Sequence, residues 1–468
     1  MAAEASDGAN DDLPEGDTLP PALELDDRPA PRTPAEPDDP LAEFSPAPKP
    51  PVRLADEGGE PIPIMLFHAG VTELCVEMIA ALARDRALRP LADRAGSERR
   101  ILEQLDAIAA VAAVGGGAID PIERWWEGAA GSRDGWKTWA AVLTLGSIAG
   151  GEAAILRGLS RLPTGARDHG VAAAEALGVL AHPGAPALGR RLVRSPHPVA
   201  RAVGVDVLSR AAALPLEELE VHLADVNPPV LEAALRAVER IDPPPFALAP
   251  ALLPRMSFPH AAVAWRASRL LLLWGFREPH AELVRGGRLA ATLGPLALEL
   301  LVLRGVADDL RWMEARMPRW VITPAILSAV ARFGHPRAWA FLLHFVSDED
   351  LADPAASALE TLFGPRVPAP ERLQAPAWRR AIAAGPWDEA TRYRRGEPWQ
   401  LSTVLAECTA GRLPRDETQR RLDELGVRVP APVRVDLGAW SPDPLRKLEA
   451  LATLVRDKGR RVPPGSWT

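Results

Sequence analysis

Apolar residues recur along this chain at helical spacing, not at the alternation of a strand. MLFHAGVTELCVEMIAALARDRAL, Met65 to Leu88, carries an apolar stripe, and RILEQLDAIAAVAAV follows as a second one. Gly115, Gly116 and Gly117 end that stretch. Asp120 and Pro121 then read as an N-cap and a first helical residue opening DPIERWWEGAA.

From there to residue 364 a unit repeats. Three helix starts share one form, a capping residue before proline: Asn227-Pro228, Thr323-Pro324 and Asp353-Pro354. The cap can accept from an orphan backbone N–H, and proline gives up nothing at a position whose N–H is unpaired anyway. With Pro198, Pro259 and Pro295 added, successive intervals are 30, 31, 36, 29 and 30 residues. HPVARAVGVDVLSRAA, NPPVLEAALRAVERI, PHAAVAWRASRLLLLWG and TPAILSAVARFG follow their starts alike, with small or apolar residues at helical steps. Second apolar segments such as LEELEVHLAD and RAWAFLLHFVSD lie between them. The unit is a helix, a tight turn and a helix. An isolated pair of this size buries little, whereas stacked copies share a continuous core. A βαβ unit of the same period would need a Val- and Ile-rich strand in every copy, and none is present. The expectation is an all-α fold, an α-solenoid of short HEAT-like hairpins over 121–364. A helical segment, 61–120, precedes it, and a helical capping region, 365–468, follows it.

The repeats resemble the short HEAT-like units of bacterial scaffold proteins. The resemblance rests on DHGVAAAEALGVLA, HPVARAVGVDVLSRAA and NPPVLEAALRAVERI and covers about half of the chain. The order of segments is also similar to a conserved proteobacterial family of HEAT-repeat proteins of unknown function. The matching stretches are Trp125 to Ala129, Lys137 to Leu145, Leu351 to Gly364 and Arg392 to Gly411. That resemblance implies a place among type VI secretion genes, an accessory or adaptor role, and no assigned catalytic residue. The acidic N-terminus and residues 61–120 depart from the family pattern.

Composition changes this picture at the N-terminus only. Residues 1–60 hold 16 acidic and 4 basic side chains with 12 prolines, which predicts a disordered acidic tail. The remaining residues hold 46 acidic and 50 basic side chains, too balanced for a nucleic-acid surface. Two cysteines, Cys75 and Cys408, form no framework and suit a reducing cytoplasm. No secretory signal pattern is seen, and the longest apolar candidate, Ile101 to Ile119, carries Glu103 and Asp106. The reading is a soluble, cytoplasmic chain with no membrane segment.

The usual catalytic signatures are missing. There is no GxGxxG, Walker A or HExxH pattern, and no two of the nine histidines stand three or four apart. No cofactor, metal or catalytic residue is therefore assigned. The expected activity is binding of a protein partner. A bilin-lyase-like enzyme or enzyme partner would need a large apolar groove, and a nucleic-acid-binding solenoid would need a basic face. The expected contact patch is Arg392, Tyr393, Arg394, Arg395 and Trp399. Three arginines in four positions repel, a plain turn has no need of them, and arginine with aromatic residues marks interface centres. The patch is therefore expected to be exposed, with the acidic tail as a competitor for its charges.

Overall fold

A computed structural model describes residues 64–115, 117–129, 134–179, 184–429, 435–458 and 462–467. The chain divides into Met1–Ile62 and Pro63–Thr468, and the described residues all belong to the second unit. The expected acidic tail, 1–60, lies outside them.

This unit is almost entirely helical. Helix α1 (Ile64–Leu88) packs on α2 (Ala95–Ala113), α3 (Ile119–Ala129) and α4 (Gly135–Ser147). Its stripe Cys75, Val76, Ile79, Leu82 and Ala83 is buried, as the spacing predicts. Among the described residues α1 alone is, as a single helix, long and apolar enough to cross a bilayer. It is longer and more apolar than the Ile101 to Ile119 stretch, but only 28% of its most apolar window is buried. Asp120 and Pro121 fall inside α3 and do not open it, because the helix already begins at Ile119.

Two series of helices then alternate along the chain. α5 (Gly151–Arg161), α7 (Ala185–Val193), α9 (Leu216–Leu223) and the single turn α11 (Ala249–Leu252) alternate with α6 (Arg167–Val179), α8 (Pro198–Arg210), α10 (Pro228–Arg240) and α12 (Ala261–Leu273). In the second series α4 packs on α6, α6 on α8, α8 on α10 and α10 on α12, forming a row. After α13 (Glu278–Val284) and α14 (Arg288–Leu293) the row continues from α12 through α15 (Ala297–Arg304) to α17 (Pro324–Phe333) and α19 (Ala352–Phe363). The short α16 (Asp309–Glu314) and α18 (Trp339–His344) fall between these row helices.

A glycine sets the spacing between α7 and the row helix α8. A Cβ on Gly204 of α8 would stand 2.5 Å from the Val193 backbone nitrogen, so α7 and α8 touch through backbone. The starts behave unevenly. Pro198, Pro228 and Pro324 are first helical residues, yet of their N-caps only Thr323 accepts a side-chain cap bond. Asn227 instead donates its N–H and side-chain amide to Asp225, and Asp353 lies within α19.

The C-terminal region does more than cover the end of the row. After α20 (Ala375–Ala383) a two-residue-turn hairpin pairs β1 (Tyr393–Arg394) with β2 (Glu397–Pro398). Arg395 and Gly396 both have positive φ, as this tight turn requires. α21 (Leu401–Thr409), α22 (Arg415–Gly426) and α23 (Pro442–Lys458) then build a small core of their own, around Val404, Cys408, Leu425 and Leu448. Leu91, from the α1–α2 connection, belongs to that same core. The region therefore spans from α17 and α19 back to α1 and α2.

Candidate functional site

The row helices carry a line of charge at one repeated position. Glu175, Asp206, Arg236, Arg269 and Arg332 are each the ninth residue of their helix. All but the half-buried Arg236 are buried, so each must find a partner or pay a large desolvation cost. The partners come from neighbouring helices and from the C-terminal region. Asp206 accepts from Arg236 at 2.9 Å and from Arg240. Arg210 reaches Asp436. Arg269 binds Asp423 through Nε and Nη2 and pairs with Glu239 through Nη1 at 2.6 Å. Glu175 takes Arg415 at 2.8 and 3.0 Å. Arg332 pairs with Glu299 at 2.6 and 2.7 Å and faces Glu424 at 3.5 Å.

Burial alone would raise the Asp206 and Glu424 carboxyls. The arginines outweigh it. Asp206 is held below the usual carboxylate range by Arg236, Arg240 and Arg210. Glu424 is held at about 2 by Arg394, Arg421, Arg332 and Arg392.

At the α1 end the same region is held mainly through backbone. Arg86 donates to the carbonyls of Gly438 at 3.0 Å and Ala439 at 2.6 Å, and Arg94 donates to Leu437 at 2.9 Å. Glu98 accepts from the Ser441 hydroxyl at 2.6 Å and from its N–H at 3.0 and 3.1 Å.

Between the row and the C-terminal region a groove of about 1340 Å³ remains open. α6, α8, α10 and α12 line one side, and α22 with Val435, Asp436 and Leu437 lines the other. Nine basic and seven acidic side chains face it. At its edge Phe246 and Trp274 meet edge-to-face at 5.6 Å, and Phe246 is 56% exposed. Trp265 sits beneath Arg266 and Arg269, whose charges lie 5.9 and 5.7 Å from its ring.

The expected arginine patch is corrected by these contacts. Arg392, Tyr393, Arg394 and Trp399 are buried, and only Arg395 is exposed. Arg394 makes a bidentate pair with Glu407 at 2.9 and 3.0 Å and faces Glu424 at 3.6 Å. Arg392 donates to the carbonyls of Arg332 at 2.8 Å and Val302 at 3.1 Å, and its charge lies 5.0 Å above the Trp399 ring. Tyr393 packs edge-on against Trp387 and donates its N–H to Gly334. The repulsion argument failed because distant carboxylates, invisible from the local segment, absorb the charge. A different signal was available in the sequence. A charged residue stands eight positions after Pro198, Pro228 and Pro324. That offset locates three members of the buried line.

Among the described residues no group of three or more His, Cys, Asp or Glu is placed to hold a metal ion. His335 caps a turn by accepting from the Arg337 N–H, whereas His197 and His260 precede helices without a side-chain cap bond. Both thiols are buried, and burial pushes Cys408 up to about 12.

No protein-family model matches this chain, and no curated protein matches it. Among solved structures, an engineered protein aligns over 84% of this chain and 100% of its own, at 15% identity and a TM-score of 0.23. A superposition at that level carries no argument.

Proposed function

We propose that this chain is a non-catalytic scaffold or adaptor on a HEAT-like α-solenoid, and that its charged groove holds a segment of a partner protein. The observation that carries the reading is the groove itself. It is open, about 1340 Å³, and combines arginine with an exposed Phe246 that meets the half-buried Trp274. Arginine and tryptophan are enriched where interfaces concentrate their energy. The solenoid assignment draws support from the packing of each row helix on the next and from charge at the ninth position of six of them, Glu360 of α19 included. Seven carboxylates in the lining oppose a nucleic-acid backbone.

The test is site-directed photo-crosslinking of the full chain in its native cells. A crosslinking residue at Phe246, on the groove edge, should give discrete protein adducts. The same residue at Val221, exposed on α9 and outside the groove lining, should not. Equal labelling at both positions, or none at Phe246, would remove the groove as the binding site.

A further inference from the structure

Helix α1 precedes the row and packs on α4, its first helix, as well as on α2 and α3. From Gly70 to its end, the exposed residues of α1 are Gly70, Leu74, Glu77, Ala81, Arg84 and Leu88. The steps between them are 4, 3, 4, 3 and 4 residues, the alternation of a coiled-coil seam. Leu74 is 49% exposed and Leu88 69%. Neither Glu77 nor Arg84 forms an ion pair with a described residue. The first element of a repeat stack ordinarily turns a polar face outward. This one presents leucine at both ends of a stripe that holds one charge of each sign.

The stripe is its own complement. Leu74 and Leu88 each lie seven residues from Ala81, Glu77 lies four before it and Arg84 three after it. Two copies set antiparallel about a two-fold axis at Ala81 therefore bring each Leu74 opposite the other copy's Leu88. The same register brings each Glu77 beside the other copy's Arg84. Ala81 is the smallest side chain of this overlap and lies on the axis, where the helices can approach most closely. The overlap from Leu74 to Leu88 is about 21 Å long at 1.5 Å per residue. Other arrangements are penalised by charge. A parallel pair sets glutamate on glutamate and arginine on arginine. Moving the antiparallel axis one seam position, to Glu77 or to Arg84, places like charges on it.

We propose that the exposed seam of α1 is a homodimer interface, in which two copies of this chain pair antiparallel about Ala81 through Leu74, Glu77, Arg84 and Leu88. The interface is isologous, so one self-complementary stripe suffices for both copies. A bilayer is the competing occupant, because α1 has the length and apolarity to cross one. Glu77 and Arg84 in the exposed stripe oppose it, since a charge within the hydrocarbon is costly. No residue of α1 lines the groove, so this inference and the adaptor reading stand or fall separately.

The test is sedimentation velocity of the full chain over a concentration series. The wild type should show a reversible monomer–dimer equilibrium. Glu77→Arg and Arg84→Glu should each weaken dimerisation roughly tenfold or more, because each turns two attractive contacts into repulsive ones. The double variant E77R/R84E exchanges both signs and should restore the wild-type equilibrium, a rescue that a merely structural role does not produce. Both positions are exposed, and melting temperatures are recorded for every variant. On mild oxidation Ala81→Cys should give a covalent dimer, while Val221→Cys, exposed on α9, should not. The native thiols are both buried. Should a reversal variant unfold, the Ala81→Cys crosslink carries the test. A wild type that stays monomeric overturns the proposal. A dimer indifferent to both single reversals, a double variant as weak as the singles, or Ala81→Cys without a crosslink overturns it as well. A monomer that floats with phosphatidylcholine vesicles assigns the seam to a membrane instead. A monomer whose Ala81→Cys thiol resists alkylation has its seam covered within its own chain, and the second copy is then excluded.

Discussion

Arg394 and Arg395 are adjacent and have opposite fates. Arg394 is enclosed by Glu407 and Glu424, whereas Arg395 is exposed at the hairpin tip with φ at 54°. Arg394→Glu would set three carboxylates together in a buried site and should cost at least the roughly 3–5 kcal/mol of a broken buried pair. Arg395→Asn should be neutral or gain up to about 1 kcal/mol, since asparagine tolerates the left-handed region. Urea midpoints of the two variants check this, and equal losses would refute the assigned burial. Glycine makes a second contrast. Gly204→Ala drives a methyl into the α7 backbone and should cost about 1–3 kcal/mol, while Gly70→Ala in α1 meets nothing within 4 Å and should gain about 0.5–1 kcal/mol. A stabilised Gly204→Ala in thermal melts would mean that α7 and α8 do not touch as described.

At the level of elements, the row helices are joined to α22 by charge as well as by apolar contact. The net worth of such a pair is small against a hydrophobic replacement, but removing one partner is expensive. Asp206→Asn should therefore cost about 3–5 kcal/mol, because Arg236 and Arg240 lose their shared carboxylate. The sign of the pH dependence follows from Glu424. Its folded pKa, about 2, lies below the ordinary 4.5, so the folded state binds fewer protons between those values. Its contribution is complete above about pH 4.5 and is lost as pH falls towards 2. Glu407 and Glu417 are also held low by their arginines against burial and act in the same direction. Glu424→Gln should lower stability at pH 7 and flatten the acid loss. Parallel stability-versus-pH curves for wild type and variant would exclude the carboxylate from that role.

Across the whole unit, the C-terminal region makes contacts that a simple repeat stack lacks. In such a stack each unit touches only its neighbours, and unfolding can begin anywhere. Here Arg86 and Glu98 bind residues 438–441 across more than 340 positions of sequence, while α22 holds α12, α15 and α17. Loss of the first contact should be felt at the second. Arg86→Gln leaves Glu98 short of its cation and should raise hydrogen exchange in α21 and α22 as well as in α1 and α2. Exchange changes confined to α1 and α2 would show that the row alone secures the C-terminal region.

Helices were legible in the sequence because their cause is local. Apolar residues at helical steps, proline at Pro198, Pro228 and Pro324, and alanine at contact positions act within one or two turns. The approximately 30-residue period and the general order of helices come from the same local information. The caps were less legible, because Asn227 can bond to Asp225 as readily as to its own helix. The site was not legible. RYRR reads locally as an unneutralised cluster, and only folding brings Glu407 to Arg394 or Glu424 to Arg332. Three of the charges at the ninth helical position, Asp206, Arg236 and Arg332, are marked in the sequence by the proline eight residues before them. Which partner such a charge meets, Arg236 for Asp206 or Arg415 for Glu175, depends on side chains on another element or hundreds of residues away. Coulomb attraction acts through space, so tertiary structure alone decided which charges pair.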